Sequence, residues 1–524
     1  MGTMIQKTRN YTHRVVAVAA LAILGGCASL SPPVARVDQF APEISGDTEL
    51  DQTIHSVLTS TPGESAAHFL QDPLDAFAAR LAGADRASRS IDAQYYLYHD
   101  DVTGNLYTER LLSAAERGVQ VRLLLDDMGI QGRDAFLLAM DAHPNINIRV
   151  FNPFANRKFR ALEYFYRFGL VTRRMHNKSM VIDRVVAITG GRNIGDEYFD
   201  ANPKSNFIDM DILVFGPAVE DVSAQFDDYW NSPLSYDIKI LAKADQYPVD
   251  APDQWLALHQ YAAGQQDSIY IERLEQSRFF EHLREGTLPI HIGPAVVLVD
   301  KPQKVREPLD DQTSHLGPAL WPFFRSSDDE LVILNPYFIP GDAGVEVLAD
   351  AVRRGCRVVV LTNSLAANDV AAVHGHYSKY RKPLIEAGVE LYELKAQRPF
   401  LNAESQAQSD ALSAMSLHVK TFVFDRQKTF IGSLNLDPRS VFQNTELGVI
   451  VEDPDIAAQI ASLALDNLPA IAYRVQLDER GKLIWTGIDF QTNEEQLLRK
   501  EPDAGIWLRL FALISRILPV ESQL

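Results

Sequence analysis

The chain has 524 residues, of which 46% are hydrophobic, 23% charged and 9% aromatic. That composition is typical of a folded globular protein with two or more domains, and it excludes disordered, collagen-like and disulfide-stapled chains. The formal net charge of −19 disfavours a protein that wraps nucleic acid with its whole surface, since that mode needs a basic face, although a local basic cleft stays open.

The amino terminus has the pattern of a secretory signal. Lys7, Arg9 and Arg14 precede a short apolar run that ends in Leu24-Gly25-Gly26-Cys27. The run is too short to span a bilayer comfortably, and its end resembles a bacterial lipobox. We therefore expect residues 1–26 to be a signal peptide and Cys27 to be lipidated, with a plain cleavage site as the alternative. Such a lipoprotein would face the periplasm, with the outer membrane favoured over the inner membrane.

The rest of the chain divides into a tether and two similar halves. Residues 27–72 show no sustained period, which predicts a flexible tether. Strands and helices then recur in one order, strand–helix–strand, in two sets: Ser90–Leu97, 106–117 and 119–125, then 330–335, 344–354 and 357–361. This duplication predicts an α/β fold of two similar lobes, each a central mixed or parallel sheet flanked by helices, related by a pseudo-twofold axis. We expect lobes at 73–265 and 266–500 and an amphipathic segment at 501–524.

Each half carries the same polar motif, His-x-Lys-x4-Asp-x6-Gly-(Gly/Ser)-x-Asn. The first copy comprises His176, Lys178, Asp183 and Asn193, and the second comprises His418, Lys420, Asp425 and Asn435. A lone buried histidine is usually structural and a lone lysine is usually solvated. Neither interpretation explains why the spacing is repeated, so the motif indicates a functional site.

The spacing suggests what this site does. Residues two apart in a strand share a face, so each histidine and lysine point the same way, while each aspartate has the opposite parity and suits a supporting role. A cleft between the lobes would collect two imidazoles, two ammoniums and two carboxamides. That set suits a phosphodiester, with one imidazole to attack phosphorus and the other to protonate the leaving oxygen. The adjacent lysines oppose a divalent ion, so we expect no metal and no other cofactor.

The paired motif resembles that of the phospholipase D superfamily. Four segments are more closely similar to the bacterial cardiolipin synthase C subfamily: 173–179, 191–199, 362–370 and 517–521. The similarity extends from about Pro73 to the carboxyl terminus. It implies two phospholipase D-like lobes that share one active site.

The resemblance also implies a metal-independent, two-step transfer through a phosphohistidine. His176 would be the nucleophile and His418 the general acid and base, while Lys178, Lys420, Asn193 and Asn435 would bind the phosphate oxygens. The family orients each catalytic histidine with a carboxylate beyond the asparagine. The best matches to these carboxylates are Asp211 and Glu446, with Asp209 as a competitor for the first.

Two further segments fit a lipid substrate. Residues 156–174 interleave arginines with aromatic side chains, and 506–518 is apolar but too short to span a bilayer. Both could contact a membrane surface and its headgroups, and both could equally be packed helices.

The leading hypothesis is therefore a membrane-associated phosphatidyltransferase that forms cardiolipin from phosphatidylglycerol and a second phospholipid, with phosphatidylethanolamine or cardiolipin as further candidate substrates. The first alternative is a phospholipase D-type hydrolase that releases phosphatidic acid. The second is a lipid-binding lipoprotein without catalysis. A nuclease is disfavoured by the acidity of the chain, so nucleic acid is not expected as a partner.

Overall fold

The structure is a computed structural model that describes residues 30, 36–242, 247, 250–396, 414–489 and 492–524. The expected signal peptide and Cys27 lie outside the described residues.

The first half of the described chain alternates strands and helices. Its elements are α1 (Glu49–Leu58), β1 (Ser65–Leu70), α2 (Pro73–Arg86), β2 (Ser90–Leu97), α3 (Val102–Glu116), β3 (Gln120–Gly129), α4 (Asp134–Asp141), β4 (Ile146–Phe151), α5 (Glu163–Tyr166), α6 (Phe168–Val171), β5 (Ser179–Ile182), β6 (Val186–Gly190), β7 (Ser205–Ile208), β8 (Asp211–Phe215), α7 (Pro217–Asn231), β9 (Ser235–Asp237), α8 (Ile238–Leu241), α9 (Ala251–Gln265), α10 (Ile269–Glu275), α11 (Arg278–Glu285) and β10 (His291–Gly293).

The second half repeats this alternation. Its elements are β11 (Ala295–Val299), α12 (Gly317–Ser326), β12 (Glu330–Leu334), α13 (Gly341–Arg354), β13 (Arg357–Asn363), α14 (Ala371–Tyr377), α15 (Arg381–Glu386), β14 (Glu390–Leu394), β15 (Ala414–Leu417), β16 (Thr421–Phe424), β17 (Lys428–Gly432), α16 (Pro438–Phe442), β18 (Leu447–Glu452), α17 (Pro454–Asp466), α18 (Leu468–Ile471), β19 (Ala472–Leu477), β20 (Leu483–Ile488), β21 (Glu495–Leu498) and α19 (Ile506–Ile517).

Two large mixed sheets share a core of eight strands in the same order, from β1 to β9 in the first sheet and from β11 to β19 in the second. One has nine strands in the order β10-β1-β8-β6-β5-β2-β3-β4-β9, and the other has ten in the order β11-β18-β17-β16-β12-β13-β14-β19-β20-β21. Each sheet has three consecutive parallel strands joined by helical connections, β2-β3-β4 in the first sheet and β12-β13-β14 in the second. The strands that flank these three on either side pair with them in the antiparallel direction. The α/β fold and the internal duplication are thereby confirmed.

The two sheets pack against each other through one shared apolar core. Side chains of the first sheet, including Val181 and Val214, belong to the same buried cluster as Val332 and Val359 of the second. A short parallel pairing of β7 with β15 adds backbone hydrogen bonds between the lobes. Because both sheets bury one face here, the lobes meet along the strands that carry the repeated motif.

The structure differs from the expected domain boundaries at both ends of the first lobe. The end of the expected tether at 27–72 is folded, because α1 packs on the lobe and β1 lies in the sheet between β8 and β10. The expected boundary between residues 265 and 266 is also displaced, since α10 and α11 pack on α2 and β10 joins the first sheet. Apolar residues of α10 and α11 complete the first core, and the lobes divide between β10 and β11.

The amphipathic segment expected at 501–524 contains a helix docked on the second lobe. Ala512 and Ser515 of α19 are buried against α14, where a Cβ at Gly375 would lie only 2.3 Å from Ser515 Oγ. Within the described parts of the chain, no helix combines the length and apolarity needed to cross a bilayer. Gly375 allows one side of α19 to pack closely on α14, while the opposite side of α19 stays exposed.

Candidate active site

The cleft between the lobes is closed by two equivalent backbone bridges. The amide of His176 donates to the carbonyl of Thr445, 2.8 Å away, and the amide of His418 donates to the carbonyl of Ile208, also 2.8 Å away. Each bridge joins the segment that precedes a motif histidine to a segment of the opposite lobe. The residues that follow the two acceptor carbonyls, Glu446 and Asp209, are consequently delivered to the histidines.

Each histidine contacts a carboxylate from the other lobe. Nδ1 of His176 lies 2.9 and 3.1 Å from the Glu446 oxygens, and Nδ1 of His418 lies 2.6 Å from Asp209 Oδ2. A carboxylate at Nδ1 fixes the ring and its tautomer, and leaves Nε2 as the nitrogen that can react. This crossed arrangement makes each lobe incomplete without the other.

The expectation that Asp211 orients a histidine is wrong, and the competing residue Asp209 takes that position. Asp211 instead forms buried ion pairs with Arg80 (2.9 Å) and Arg192 (3.5 Å). The strand register explains the difference. Gly190 lies opposite Asp211 in the first sheet and Gly432 lies opposite Gly448 in the second, so that the counterpart of Glu446 is two residues before Asp211.

The single difference inside the repeated motif follows from these carboxylates. At Gly191 a Cβ would lie 2.1 Å from Asp209 Oδ1, so a side chain there would displace the carboxylate. The other copy has Ser433 at this position, and its hydroxyl donates to Glu446 Oε2. The glycine admits the shorter carboxylate, whereas the serine holds the longer one.

Both motif lysines are buried beside the histidines. Lys178 Nζ donates to the carbonyl of His176 at 2.6 Å, and Lys420 Nζ donates to the carbonyl of His418 and lies 2.9 Å from its Nδ1. Burial lowers the pKa of Lys178 to about 7 and that of Lys420 to about 8, with Glu446 and Asp209 opposing the shift. A bound anion would stabilise both ammoniums.

The two imidazoles differ in their electrostatic environments. Burial, followed by the nearby Lys178 and Lys420 ammoniums, lowers the pKa of His176 well below its usual value. Burial and Lys420 also lower the pKa of His418, but Asp209 counteracts them. Each histidine titrates in the field of the other lobe's lysine, which places all four groups in one cleft.

The two carboxylates that contact the histidines, Glu446 and Asp209, also differ in the direction of their pKa shifts. Burial raises the pKa of Glu446 to about 7. For Asp209 burial acts in the same direction, but His418 and Lys420 outweigh it and lower the pKa below its usual value. Asp209 therefore keeps its negative charge more readily than Glu446. Because an anionic partner stabilises an imidazolium, His418 is the imidazole better able to carry a proton, while His176 stays neutral.

The two asparagines are buried but have different bonds. Asn193 Oδ1 accepts from the amide of Leu97 at 3.0 Å, and its amide donates to Tyr198 Oη at 2.9 Å. Asn435 Oδ1 is buried without a hydrogen-bond partner. Because the Asn193 amide already donates to Tyr198 and the unpartnered atom of Asn435 is an acceptor, these contacts leave the binding of phosphate by the two carboxamides a prediction.

The motif aspartates Asp183 and Asp425 belong to the repeated motif but do not take part in the chemistry of the cleft, and they have the supporting role that their parity predicts. Asp183 accepts from the amides of Ser88, Arg89 and Ser90 at 2.7–2.9 Å. Asp425 accepts in the same way from the amides of residues 328–330. Both have positive φ, 52° and 53°, and both hold the turn at the far end of the strand, as their parity indicates.

Sequence reasoning missed several groups in the cleft. Tyr96 lies edge-on to His176 with ring centres 5.1 Å apart, and Tyr198 lies edge-on to His418 at 5.3 Å. Asp369 accepts from Tyr337 and acts electrostatically on Lys420. Only the 191–199 and 362–370 segments of the family resemblance could have located Tyr198 and Asp369, because neither belongs to the repeated motif.

Residues 156–174, the segment that interleaves arginines with aromatic side chains, are less available for binding lipid headgroups than their composition suggests. Most of its arginines form internal ion pairs with buried carboxylates: Arg157 with Asp127 and Asp134, Arg160 with Asp127, Arg167 with Glu163, and Arg174 with Asp126. The outward-facing side chains include Lys158, Phe159 and Phe165. The segment thus presents mainly aromatic rings to solvent.

Groups with the geometry to hold a cation occur elsewhere in the described residues. They are His99 with Asp101 and Glu197, His291 with Asp453 and Asp455, and His374 with Glu393 and Glu501. At His176 and His418, by contrast, a carboxylate and a lysine already surround the ring. The chemistry of the cleft is that of paired imidazoles.

Comparisons with known proteins agree on one family. A family model described as the phospholipase D-like domain of cardiolipin synthase matches residues 82–230 and 320–464. Cardiolipin synthase C of Escherichia coli (strain K12) is 40% identical over 464 residues, covering 88% of this chain and 96% of that protein. An uncharacterised protein of Helicobacter pylori (strain ATCC 700392 / 26695) is 32% identical over 467 residues, with coverages of 88% and 90%.

More distant matches support the fold. The major cardiolipin synthase ClsA of Bacillus subtilis (strain 168) is 24% identical over 417 residues, covering 79% of this chain and 70% of that protein. The solved structure of phosphatidylserine synthase from Haemophilus influenzae Rd KW20 superposes with a TM-score of 0.57 at 13% identity, covering 90% of this chain and 99% of that one. At such low identity the superposition establishes the two-lobed architecture alone.

Proposed function

This chain belongs to the phospholipase D-like family of cardiolipin synthases, and on that basis we propose that it forms cardiolipin by transferring a phosphatidyl group, from phosphatidylglycerol or a second phospholipid as donor, to the headgroup hydroxyl of an acceptor phosphatidylglycerol. The observation that carries the proposal is the pair of crossed histidine–carboxylate contacts, His176 with Glu446 and His418 with Asp209. Two oriented imidazoles with free Nε2 atoms are what an attack on phosphorus and a proton transfer to the leaving oxygen require.

The first step consumes the donor lipid. Nε2 of neutral His176 attacks phosphorus and forms a P–N bond. The bond from phosphorus to the glycerol oxygen of the headgroup breaks, and that oxygen takes the proton from Nε2 of the His418 imidazolium. The low pKa of His176 and the anionic partner of His418 support this assignment of roles.

The second step reverses the proton transfer. Neutral His418 takes the proton from the hydroxyl of the acceptor lipid, whose oxygen attacks phosphorus while the P–N bond breaks and His176 returns to its neutral form. Lys178 and Lys420 balance the charge of the non-bridging oxygens, and Asn435 supplies a further donor. A water molecule in place of the acceptor would give phosphatidic acid, so exclusion of water decides between transfer and hydrolysis.

Product analysis with defined lipids tests this proposal. Purified protein in vesicles of phosphatidylglycerol, with and without phosphatidylethanolamine, is expected to yield cardiolipin, with release of glycerol where phosphatidylglycerol is the donor and of ethanolamine where phosphatidylethanolamine is. His176→Ala and His418→Ala should abolish the product, while His259→Ala, a change of a partly exposed histidine outside the cleft, should not. Release of phosphatidic acid without cardiolipin would identify a hydrolase instead. Lipid binding with no turnover and no trapped phosphohistidine would identify a non-catalytic protein.

The proposed reaction takes place at a membrane, and α19 supports membrane association. This helix leaves large apolar side chains exposed, among them Ile506 at 75%, Trp507 at 79% and Ile517 at 78%. Its remaining exposed apolar residues are Leu510, Phe511, Leu513 and Ile514. A short helix with one buried small-residue face and one exposed apolar face suits the plane of a lipid interface.

Flotation with vesicles tests the role of α19. The double change Trp507→Asp and Phe511→Asp should reduce binding of the unlipidated protein to phosphatidylglycerol vesicles at least 10-fold. Ile269→Asp, an equally exposed isoleucine on α10, is the matched control and should bind like the parent protein. Equal binding by all three proteins would assign membrane association to another surface.

We also propose that Cys27 carries the lipid anchor and that the mature protein faces the periplasm, with the outer membrane favoured. The sequence Leu24-Gly25-Gly26-Cys27 supports this proposal. Cys27→Ser should prevent metabolic labelling with a fatty acid and release the protein from the membrane fraction. Unchanged labelling would contradict the anchor.

A further inference from the structure

The second lobe has a cavity beside the loop that follows Asn435. It has a volume of about 450 Å³ and lies between α12, α13 and α16 of the second lobe. Its wall is mostly apolar and includes Trp321, Phe338, Ile339, Val347, Leu436 and Phe442. Cavities of this size and composition hold lipid-like or drug-like ligands in proteins.

One loop links the wall of the cavity to the candidate active site. Leu436 and Asp437, which follow Asn435 in the chain, belong to its wall. The charge of Asp437 acts on both Lys420 and Glu446. A ligand whose phosphate lies between the two histidines would therefore have this cavity beside it.

The duplicated fold allows the same position to be compared in both lobes. The amide of Ile339 donates to the carbonyl of Leu436 at 2.7 Å, and in the first lobe the amide of His99 donates to the carbonyl of Ile194 at 2.9 Å. These bonds are equivalent, since Ile194 and Leu436 each follow a motif asparagine. The second lobe thus has an isoleucine facing an apolar cavity where the first has an imidazole.

The surroundings of His99 are polar. Its Nδ1 lies 3.2 Å from Glu197 and 3.8 Å from Asp101, and the depression around it also includes Arg133 and Asp196. Burying hydrocarbon against unmatched charges is unfavourable, whereas hydroxyl groups and water are tolerated there. The two sides of one pseudosymmetric cleft therefore have opposite preferences.

The residues that follow α19 pack against one wall of the cavity. After α19 the chain ends against α16, where the amide of Arg439 donates to the carbonyl of Leu524 at 2.9 Å and Gln443 donates to the carbonyl of Ser522. The helix α16 forms one wall of the cavity. These contacts place the cavity wall close to the end of the helix that we propose to lie on the membrane.

From these observations we infer that the cavity between α12, α13 and α16 binds an acyl chain of the phospholipid whose phosphate occupies the histidine pair, so that the second lobe faces the diacylglycerol part and the first lobe faces the polar alcohol. The inference rests on the proposed function and adds the orientation of the substrate to it. It predicts that residues of this cavity determine acyl-chain preference.

Acyl-chain selectivity is the first test. Val347→Trp fills the cavity, while Glu346→Trp places the same bulk on the exposed side of α13. With phosphatidylglycerol of 16 to 18 carbons per chain, Val347→Trp should lower kcat/KM at least 10-fold and leave turnover of the six-carbon lipid within about 2-fold. Glu346→Trp should change neither value. An equal loss for both chain lengths in a Val347→Trp protein with an unchanged melting temperature would overturn the inference.

Fluorescence quenching gives a readout that does not need turnover. In a Trp507→Phe background, vesicles of phosphatidylglycerol with brominated acyl chains should quench tryptophan emission, and a further Trp321→Phe change should remove most of that quenching. Persistence of the quenching without Trp321, or no quenching at all, would refute acyl binding here. Quenching at Trp321 in a protein that forms no cardiolipin would retain the cavity assignment and reject only the proposed transfer.

Discussion

The crossed carboxylates lead to the sharpest prediction, the replacement Asp209→Asn. The change keeps the volume of the side chain but removes the charge that lies 2.6 Å from His418 Nδ1 in a fully buried position. Removing one partner of a buried charge pair destabilises the charge that remains by about 3–5 kcal/mol, and we expect the His418 imidazolium to be destabilised by a comparable amount during transfer. At about 1.36 kcal/mol per tenfold change in rate, transfer should fall by about 10² to 10⁴.

The pH dependence identifies the cause of that loss. Asp209 raises the pKa of His418 against the lowering effects of burial and Lys420. Without the carboxylate the pKa of His418 falls further, so the imidazolium that protonates the leaving oxygen disappears at a lower pH. The alkaline limb of the profile for phosphohistidine formation should therefore move toward acid. Rapid-quench measurement of that step over a pH series gives the shift.

Asp211→Asn is the matched control, because Asp211 is equally buried but pairs with Arg80 and Arg192. It should lower the melting temperature and leave the pH profile of the folded fraction unchanged. The reasoning would be refuted by an Asp209→Asn enzyme that keeps more than a tenth of its activity with an unshifted alkaline limb.

Three further predictions follow from single contacts. Gly191→Ser introduces a Cβ where Asp209 Oδ1 lies 2.1 Å away, so steady-state transfer should fall at least 100-fold at an almost unchanged melting temperature; normal activity would contradict the steric argument. Asp183→Ala leaves three turn amides without an acceptor, which should cost about 1–3 kcal/mol of unfolding free energy for each amide that stays buried, while activity per folded molecule persists; a loss of activity without a loss of stability would restore a catalytic role. Although burial opposes them, contacts with His376, Lys379 and Tyr380 lower the pKa of Glu521 to about 2 from 4.5. Because the pKa of Glu521 is depressed in the folded protein, its contacts stabilise the fold above pH 4.5, and this stabilisation is lost as the pH falls toward 2. Amide hydrogen exchange of residues 506–517 should therefore accelerate as the pH is lowered over that interval. In the Glu521→Gln variant, residues 506–517 should exchange fast at every pH. Identical exchange profiles for the variant and the parent protein would contradict a role of Glu521 in holding this helix.

Local pattern was enough for much of the site. The period of a strand places His176 with Lys178 and turns Asp183 away from them, and the structure has Lys178 on the histidine backbone and Asp183 in the turn. These relations depend on neighbours within eight residues, a segment that includes β5 and the residues directly before and after it, where geometry follows from the sequence.

The amino-terminal part of the body shows where local pattern was insufficient. Arg36 donates to the carbonyls of Ser232 and Ser235 at 2.8 and 2.7 Å, and Arg89 pairs with Asp51 of α1. These partners lie nearly 200 and about 40 positions apart in the chain. Contacts with such distant partners hold this segment on the lobe, and the sequence considered alone does not reveal those partners.

By itself, the sequence determined that the protein has two copies of one α/β unit, each with an imidazole and an ammonium on one strand face, because spacing and strand parity are local properties. Only the tertiary structure decided that Asp209 rather than Asp211 orients His418 and that each carboxylate serves the other lobe. The register of β6 against β8 and the contact between the lobes set those choices. The strand register and the contact between the lobes both depend on residues that come together only in the folded protein. The spacing of residues along the chain therefore does not reveal them.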